Sequence, residues 1–150
     1  MGYELHRSGL RVTEKERPVL ARPRILLADD HRPLLKRVES LLQFLFEVVG
    51  IVHDGRALVS EAQRLQPDVI VLDITMPLLT GIEAARELRE AGSQAKLVFL
   101  TIHQDPAFVR ACSAEGGLGY VTKSRLVTDL IPAIHEALSD HTFISPSVSH

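Results

Sequence analysis

The sequence predicts one α/β domain in which helices cover both faces of a parallel β-sheet. The chain has 150 residues, of which 45% are hydrophobic and 24% are charged, a balance typical of a single soluble globular domain. Short aliphatic runs alternate five times with longer segments of helical periodicity. Such alternation within about 115 residues favours right-handed crossovers between parallel strands.

Five short segments have the composition of buried strands. The clearest is the third, which is a continuous run of β-branched and aliphatic side chains, as expected for a central parallel strand covered on both faces. The fifth is the shortest, because glycines at 116–119 interrupt the pattern before it. The predicted strands are residues 24–29, 46–50, 68–73, 96–101 and 120–122.

Helical periodicity marks the segments that follow these strands. Pro33 suits the first turn of the first helix, and Pro67 and Gly92 end the second and third helices. Pro132 falls inside the last helix, where a proline costs stability unless it lies in the first turn. The predicted helices are residues 33–45, 56–65, 82–90, 106–114 and 126–139.

Composition excludes several classes of protein. No apolar run approaches the roughly 20 residues of a membrane span, and residues 1–11 lack the apolar stretch of a signal peptide. The single cysteine, Cys112, cannot form an internal disulfide, and no paired Cys/His spacing suggests a metal site. We therefore expect a cytoplasmic protein that does not contact a membrane.

Charge is distributed unevenly along the chain. Residues 1–24 have a net charge of +3, and the rest of the chain has a net charge of −5. A weakly acidic domain is a poor surface for nucleic acid. We expect residues 1–23 to be a flexible basic extension, residues 24–140 to be the folded domain, and residues 141–150 to be a C-terminal tail.

Polar residues occupy the carboxyl ends of the predicted strands, the edge at which such sheets bind ligands. Each residue alone has a structural explanation, such as a turn or a helix cap, but together they indicate a site. Three neighbouring carboxylates repel one another, and Mg²⁺ relieves that repulsion because it prefers hard oxygen ligands. The residues are Asp29, Asp30, Asp73, Thr101 and Lys123.

These residue types suit phosphoryl transfer. With a metal present, Asp73 can act as the nucleophile and form an aspartyl phosphate. Lys123 supplies an ammonium that can pair with a phosphoryl oxygen, and Thr101 supplies a hydroxyl that can donate to another. Positioning and charge neutralisation would then provide most of the catalysis.

As a set, these residues and their flanking motifs resemble the receiver domain of two-component response regulators. The resemblance covers about residues 24–139 and implies a flavodoxin-like (CheY-like) five-stranded sheet in the order 2-1-3-4-5 with five helices. It also implies a sensor histidine kinase as partner. The matching segments are Asp29-Asp30-His31, Val71-Leu72-Asp73-Ile74-Thr75-Met76-Pro77 followed by Gly81, Leu100-Thr101, and Gly119-Tyr120-Val121-Thr122-Lys123.

The resemblance implies a role for each acidic residue and for the lysine. Asp73 matches the phosphoacceptor, and Asp30 matches the carboxylate that binds Mg²⁺ directly. Asp29 matches its partner, which acts through a metal-bound water. Thr75 matches the position whose backbone carbonyl binds the metal, and Lys123 matches the lysine of the family motif.

The resemblance further implies a switch and an output. Thr101 matches the switch hydroxyl and Tyr120 the switch aromatic; we hypothesise that Thr101 moves towards the phosphoryl group and that Tyr120 rotates from solvent into the vacated space. The motifs are most similar to the NarL/LuxR-type subgroup, although Ser124 replaces the proline that commonly follows the lysine. A cis peptide bond is improbable before serine.

Residues 143–146 are similar to the start of the linker that leads to that subgroup's helix-turn-helix domain. The chain is therefore either a transcription factor whose output domain is absent or a stand-alone receiver. DNA would be contacted only through the absent domain, and a homodimer is compatible with the resemblance.

Three alternatives remain open. An Asp-nucleophile phosphohydrolase generally needs a second acid two residues after the nucleophile, where this chain has Thr75. A pseudo-receiver, which acts as a non-phosphorylated interaction module, normally loses part of the acidic set. A flavin-binding protein would carry a phosphate cradle in place of Asp29-Asp30-His31. We expect a signalling domain that catalyses only its own phosphorylation and dephosphorylation.

Overall fold

The computed structural model describes residues 21–102 and 105–146. Most of the predicted basic extension and the last four residues of the predicted tail lie outside the described residues. In the described part, strands and helices alternate along the chain. None of the described helices combines the length and the apolar character needed to cross a membrane.

The described strands form one parallel sheet in the order β2-β1-β3-β4-β5-β6. The predicted flavodoxin-like order 2-1-3-4-5 is confirmed, and a short sixth strand is added beside β5. The strands are β1 (Arg24–Ala28), β2 (Glu47–Val52), β3 (Val69–Asp73), β4 (Lys96–Thr101), β5 (Gly117–Thr122) and β6 (Phe143–Ile144).

Within residues 21–102 and 105–146, five helices cover the two faces of this sheet, as predicted. Alternate strand residues point to opposite faces, so Ile25 and Leu27 pack with α1 and α5, whereas Leu26 and Ala28 pack with α2 and α3. The second face also holds residues of α4. The helices are α1 (Arg32–Leu42), α2 (Gly55–Leu65), α3 (Gly81–Glu90), α4 (Pro106–Ala114) and α5 (Leu126–Leu138).

The connection between α1 and β2 begins earlier than predicted. The helix ends at Leu42, and the Leu42 carbonyl accepts hydrogen bonds from the backbone N–H groups of Leu45 and Phe46 at 3.1 and 2.9 Å. This turn buries Phe46 and leaves Phe44 and Leu45 exposed. β2 consequently runs from Glu47 to Val52, one residue later at its start and two at its end than the predicted segment.

β5 begins three residues before its predicted start, so the interpretation of its glycines as a break is wrong. A Cβ atom at Gly117 would lie 2.7 Å from the Phe99 ring, and one at Gly119 would lie 2.9 Å from the Val98 side chain. Glycine therefore allows β5 to pack closely against the side chains of β4, where the strand register shifts between Leu97 and Val98.

The last helix keeps its proline in the interior. Pro132 lies six residues after the helix start, beyond the first turn, and the helix continues past it to Leu138. The proline is exposed. The proline removes one intrahelical hydrogen bond, yet the helix continues and packs Leu130, Ala133 and Ile134 into the core beside the sheet.

Part of the predicted C-terminal tail belongs to the sheet. Phe143 and Ile144 pair in parallel with Gly119 and Tyr120, and Ser145 is buried. A two-residue strand carries no periodicity, which is why the sequence pattern does not reveal it. No described peptide bond is cis, including the one before Ser124.

Candidate functional site

The carboxyl ends of β1 and β3 bring three carboxylates together. Asp29 and Asp30 directly follow β1, and Asp73 is the last residue of β3. One oxygen of each carboxylate lies within 4.8 Å of the others. Asp29 is completely buried, Asp73 is 7% exposed and Asp30 is open to solvent. The predicted convergence of these three residues is therefore present.

The predicted lysine completes this acidic cluster. Lys123 follows β5 and begins a 3₁₀ turn, Lys123–Arg125. Its Nζ lies 2.9 Å from Oδ2 of Asp29 and 3.4 Å from Oδ2 of Asp73, and its side chain is 18% exposed. A single ammonium thus pairs with the two buried carboxylates.

The loop between β3 and α3 holds Asp73 by close backbone packing. Gly81 begins α3 at a position where a Cβ atom would lie 2.0 Å from the Asp73 carbonyl oxygen, and its N–H donates to the Ile74 carbonyl at 2.7 Å. Thr80 caps α3 by accepting from the Glu83 N–H, while the Glu83 carboxylate accepts from the Thr80 N–H. Residue 81 can lie this close to the Asp73 carbonyl oxygen only as glycine.

The surroundings of Asp73 disfavour the ionised form of its carboxyl group. Burial raises the pKa of its carboxyl above the ordinary value, and the charge of Asp29 raises it further. The Lys123 ammonium and a hydrogen bond from the Thr75 N–H lower the pKa but do not compensate. The predicted metal contact of the Thr75 carbonyl stays a prediction.

Asp29 has one oxygen suited to a further ligand. Its Oδ1 accepts a hydrogen bond from the His31 N–H at 2.9 Å. Its Oδ2 is buried, accepts no hydrogen bond of acceptable geometry among the described residues, and faces the Lys123 ammonium. A cluster of three carboxylates that includes Oδ2 of Asp29 fits a hard divalent cation such as Mg²⁺.

Thr101 and Tyr120 lie on the other side of the same edge. Both are buried, and their side chains are hydrogen-bonded to each other. Burial raises the pKa of the Tyr120 hydroxyl, and the bond to Thr101 opposes that shift. Tyr120 is therefore already buried here, so the solvent-facing starting position in our hypothesis is not the one that this structure shows. A rotation of Tyr120 on phosphorylation stays a prediction.

His53 is a neighbour of the site that the sequence pattern does not single out. Its Nδ1 lies 3.2 Å from the Asp29 carbonyl oxygen, and its Nε2 lies 3.0 Å from an Arg32 guanidinium nitrogen. A neutral ring that donates from Nδ1 and accepts at Nε2 satisfies both contacts. No spacing signal links His53 to Asp29, because the contact depends on the pairing of β2 with β1.

Comparison with known proteins identifies similar sequences. A family model described as the response regulator receiver domain matches residues 25–135. The transcriptional regulatory protein DegU of Brevibacillus brevis is 34% identical over 128 residues, which are 84% of this chain and 54% of DegU. The nitrate/nitrite response regulator protein NarL of Escherichia coli K12 is 31% identical over 127 residues, 83% of this chain and 59% of NarL. The chain thus spans less than two thirds of the length of these relatives.

Solved structures give the same picture. A LuxR-family two-component response regulator from Aurantimonas sp. SI85-9A1 has a TM-score of 0.80 and 32% identity, covering 84% of this chain and 91% of that one. The non-phosphorylated receiver domain of the stress response regulator RcsB from Escherichia coli has a TM-score of 0.77 and 25% identity, covering 83% of this chain and 99% of that one. The similarity to the NarL/LuxR type that the motifs predict is confirmed.

Proposed function

The chain belongs to the response regulator receiver domain family, in its NarL/LuxR-type branch, and we propose that it accepts a phosphoryl group on Asp73 from a sensor histidine kinase. The observation that carries the proposal is the pairing of one ammonium, from Lys123, with two of three converging carboxylates. A carboxylate nucleophile, further carboxylates for a cation and an ammonium for a phosphoryl oxygen are the groups that phosphoryl transfer to an aspartate uses.

The reaction is a transfer between two side chains. An Asp73 carboxylate oxygen attacks phosphorus, the P–N bond to the kinase histidine breaks, and the departing imidazole nitrogen takes up a proton. Lys123 lies where its ammonium can pair with a phosphoryl oxygen. Hydrolysis later returns the free carboxylate, so the domain would catalyse only its own phosphorylation and dephosphorylation.

Mg²⁺ is the cofactor that the acidic cluster favours. Asp29, Asp30 and Asp73 would hold it together with the Thr75 carbonyl, and it would supply positive charge that balances the carboxylates and phosphoryl oxygens. The raised pKa of Asp73 supports this assignment, because a nearby cation favours the ionised nucleophile.

The output would follow from a change in the Thr101–Tyr120 pair. Phosphorylation adds about −1.5 to −2 charges at Asp73, which attracts the Thr101 hydroxyl as a donor. That movement breaks its bond to Tyr120 and shifts the population of Tyr120 positions. The name of the relative DegU describes that protein as a transcriptional regulatory protein, and control of transcription, through a DNA-binding domain, is the output we propose for this chain. Homodimer formation stays a prediction.

Intact mass spectrometry tests the proposal. The protein is incubated with a small phosphodonor and Mg²⁺, in parallel with Asp73→Asn and with Asp140→Asn, an exposed control. We expect one phosphoryl adduct on the wild type and the control, and none on Asp73→Asn or with a chelator present. No adduct on the wild type would leave a pseudo-receiver, and steady hydrolysis of a phosphate ester would indicate a phosphohydrolase; either result refutes the proposal.

A further inference from the structure

Ser145 joins the C-terminal segment to the strand that carries the site lysine. The residue is 6% exposed. Its Oγ accepts a hydrogen bond from the Thr122 N–H at 3.1 Å and donates to Oδ2 of Asp129 at 2.7 Å. Its own N–H donates to the Tyr120 carbonyl at 2.8 Å. One buried hydroxyl therefore connects β5 with α5.

Asp129 anchors this hydroxyl from the first turn of α5. Its carboxylate also accepts from Arg125 Nε at 2.8 Å and from the Thr128 hydroxyl at 3.0 Å. Burial alone would raise the pKa of Asp129, but the hydrogen bonds from Arg125, Ser145 and Thr128 outweigh it and lower the pKa. Asp129 is thus a fixed anion, and its partners are held firmly.

These contacts enclose the turn that presents Lys123. Thr122 directly precedes the lysine, and its N–H donates to Ser145 Oγ. Arg125 ends the Lys123–Arg125 turn, and its guanidinium pairs with Asp129. Thr122 is bound through its backbone N–H and Arg125 through its guanidinium, both to the same carboxylate–hydroxyl pair. The direction in which the Lys123 side chain leaves the backbone depends on how firmly these ends are held.

We propose that Ser145 is a positioning residue for Lys123, fixing the turn from which the ammonium reaches Asp29 and Asp73. The proposal rests on the proposed phosphoacceptor function. If Ser145 fixes Lys123, then docking of residues 143–146 and chemistry at Asp73 depend on each other. Docking of Ser145 favours one placement of Lys123, and by linkage that placement of Lys123 favours docking of Ser145 equally. A purely structural Ser145 would stabilise the sheet edge without affecting the lysine.

Phosphorylation kinetics with a small phosphodonor test this role in the full chain. For Ser145→Ala, we expect the maximal rate per folded molecule to fall about fivefold, because a small misplacement of a catalytic group is costly. The half-saturating donor concentration should stay unchanged, since Lys123 acts mainly on the transferring group. Ser145→Thr, which keeps a hydroxyl, should restore most of the rate. Thr142→Ala, an exposed change in the same segment, should behave as the wild type.

Acylation of the Lys123 amine gives a readout that does not need phosphorylation. With peptide mapping by mass spectrometry, we expect Lys123 to react about threefold faster in Ser145→Ala, because a loosened turn exposes its ammonium. If the wild type gains no phosphoryl group, the proposed function fails and acylation alone decides the role of Ser145. Equal acylation of wild type and Ser145→Ala, or equal rate losses in the Ala and Thr variants, overturns the proposal.

Discussion

Replacing the phosphoacceptor by its neutral isostere should stabilise the metal-free protein. We expect Asp73→Asn to raise the free energy of unfolding at pH 7 by about 1 kcal/mol, the usual size of a single-substitution effect, because burial disfavours the charged carboxylate more than its ion pair favours it. The substitution keeps the shape of the side chain and removes the charge that burial and Asp29 make unfavourable. Few substitutions of a buried polar residue stabilise a protein, so the sign of the effect is diagnostic.

The distances in the site show why burial of the Asp73 carboxylate decides the sign of this effect. At an effective dielectric constant of about 20, charges 4.8 Å apart repel by about 3.5 kcal/mol, the minimum for Asp29 and Asp73. Lys123, 3.4 Å from Asp73, attracts it by about 4.9 kcal/mol on the same scale. Exposed Asp30 adds about 1 kcal/mol of water-screened repulsion. These terms nearly cancel, so the cost of removing the Asp73 carboxylate from water determines the sign.

The effect should depend on pH in one direction. Because the folded pKa of Asp73 is raised, the folded protein binds this proton more tightly than the unfolded chain. The stability that this bound proton gives the wild type is fully present below the ordinary carboxyl pKa, and it is lost as pH rises through the raised pKa of folded Asp73. The stability advantage of Asp73→Asn should therefore be absent in acid and grow towards neutral pH.

Urea unfolding followed by circular dichroism, in buffer with a chelator, measures these differences. Glu39→Gln, which removes one exposed negative charge from α1, is the matched control and should change stability by less than about 0.5 kcal/mol. Mg²⁺ should stabilise the wild type more than Asp73→Asn. An Asp73→Asn variant that is less stable than the wild type at pH 7 without metal would refute the electrostatic account of the site.

Two further substitutions and one labelling experiment test other features of the structure. Gly81→Ala should cost about 3 kcal/mol or more in urea unfolding, because its Cβ would lie 2.0 Å from the Asp73 carbonyl oxygen; wild-type stability would contradict this packing. Burial raises the pKa of the Cys112 thiol to about 12, so alkylation monitored by mass should be slow in the folded protein and rapid in urea; fast native labelling would count against it. Lys123→Met should slow phosphoryl gain from a small donor by about 10- to 100-fold, whereas Lys96→Met should leave the rate unchanged, and equal rates would exclude a role for the Lys123 ammonium.

The main features of the fold and the site cluster could be predicted because they depend on local patterns. Alternating aliphatic runs and helical periods define the order of strands, and parallel strands bring their carboxyl ends to one edge. Asp29, Asp73 and Lys123 therefore meet without any knowledge of side-chain packing. Their chemical roles rest on the family resemblance, and the experiments above test them.

The features that the sequence did not reveal depend on contacts between distant residues. Gly117 and Gly119 look like a strand break along the chain, yet in the sheet they make room for Phe99 and Val98 of the neighbouring strand. The burial of Ser145 requires both β5 and the carboxylate of Asp129. These contacts leave no periodic pattern in the sequence, so no short segment read alone predicts them.

β5 connects the predicted chemistry with the predicted switch. Tyr120 and Thr122 lie two residues apart on this strand, and the backbone of each is hydrogen-bonded to Ser145. The Tyr120 carbonyl accepts from the Ser145 N–H, and the Thr122 N–H donates to the Ser145 Oγ. Tyr120 also contacts Thr101, and Lys123 follows directly after Thr122. A displacement of the β5 backbone at Tyr120 or next to Lys123 would therefore strain the same pair of hydrogen bonds. If phosphorylation moves this backbone, docking of residues 143–146 changes with it, and by linkage an altered docking shifts the phosphorylation equilibrium by an equal free energy.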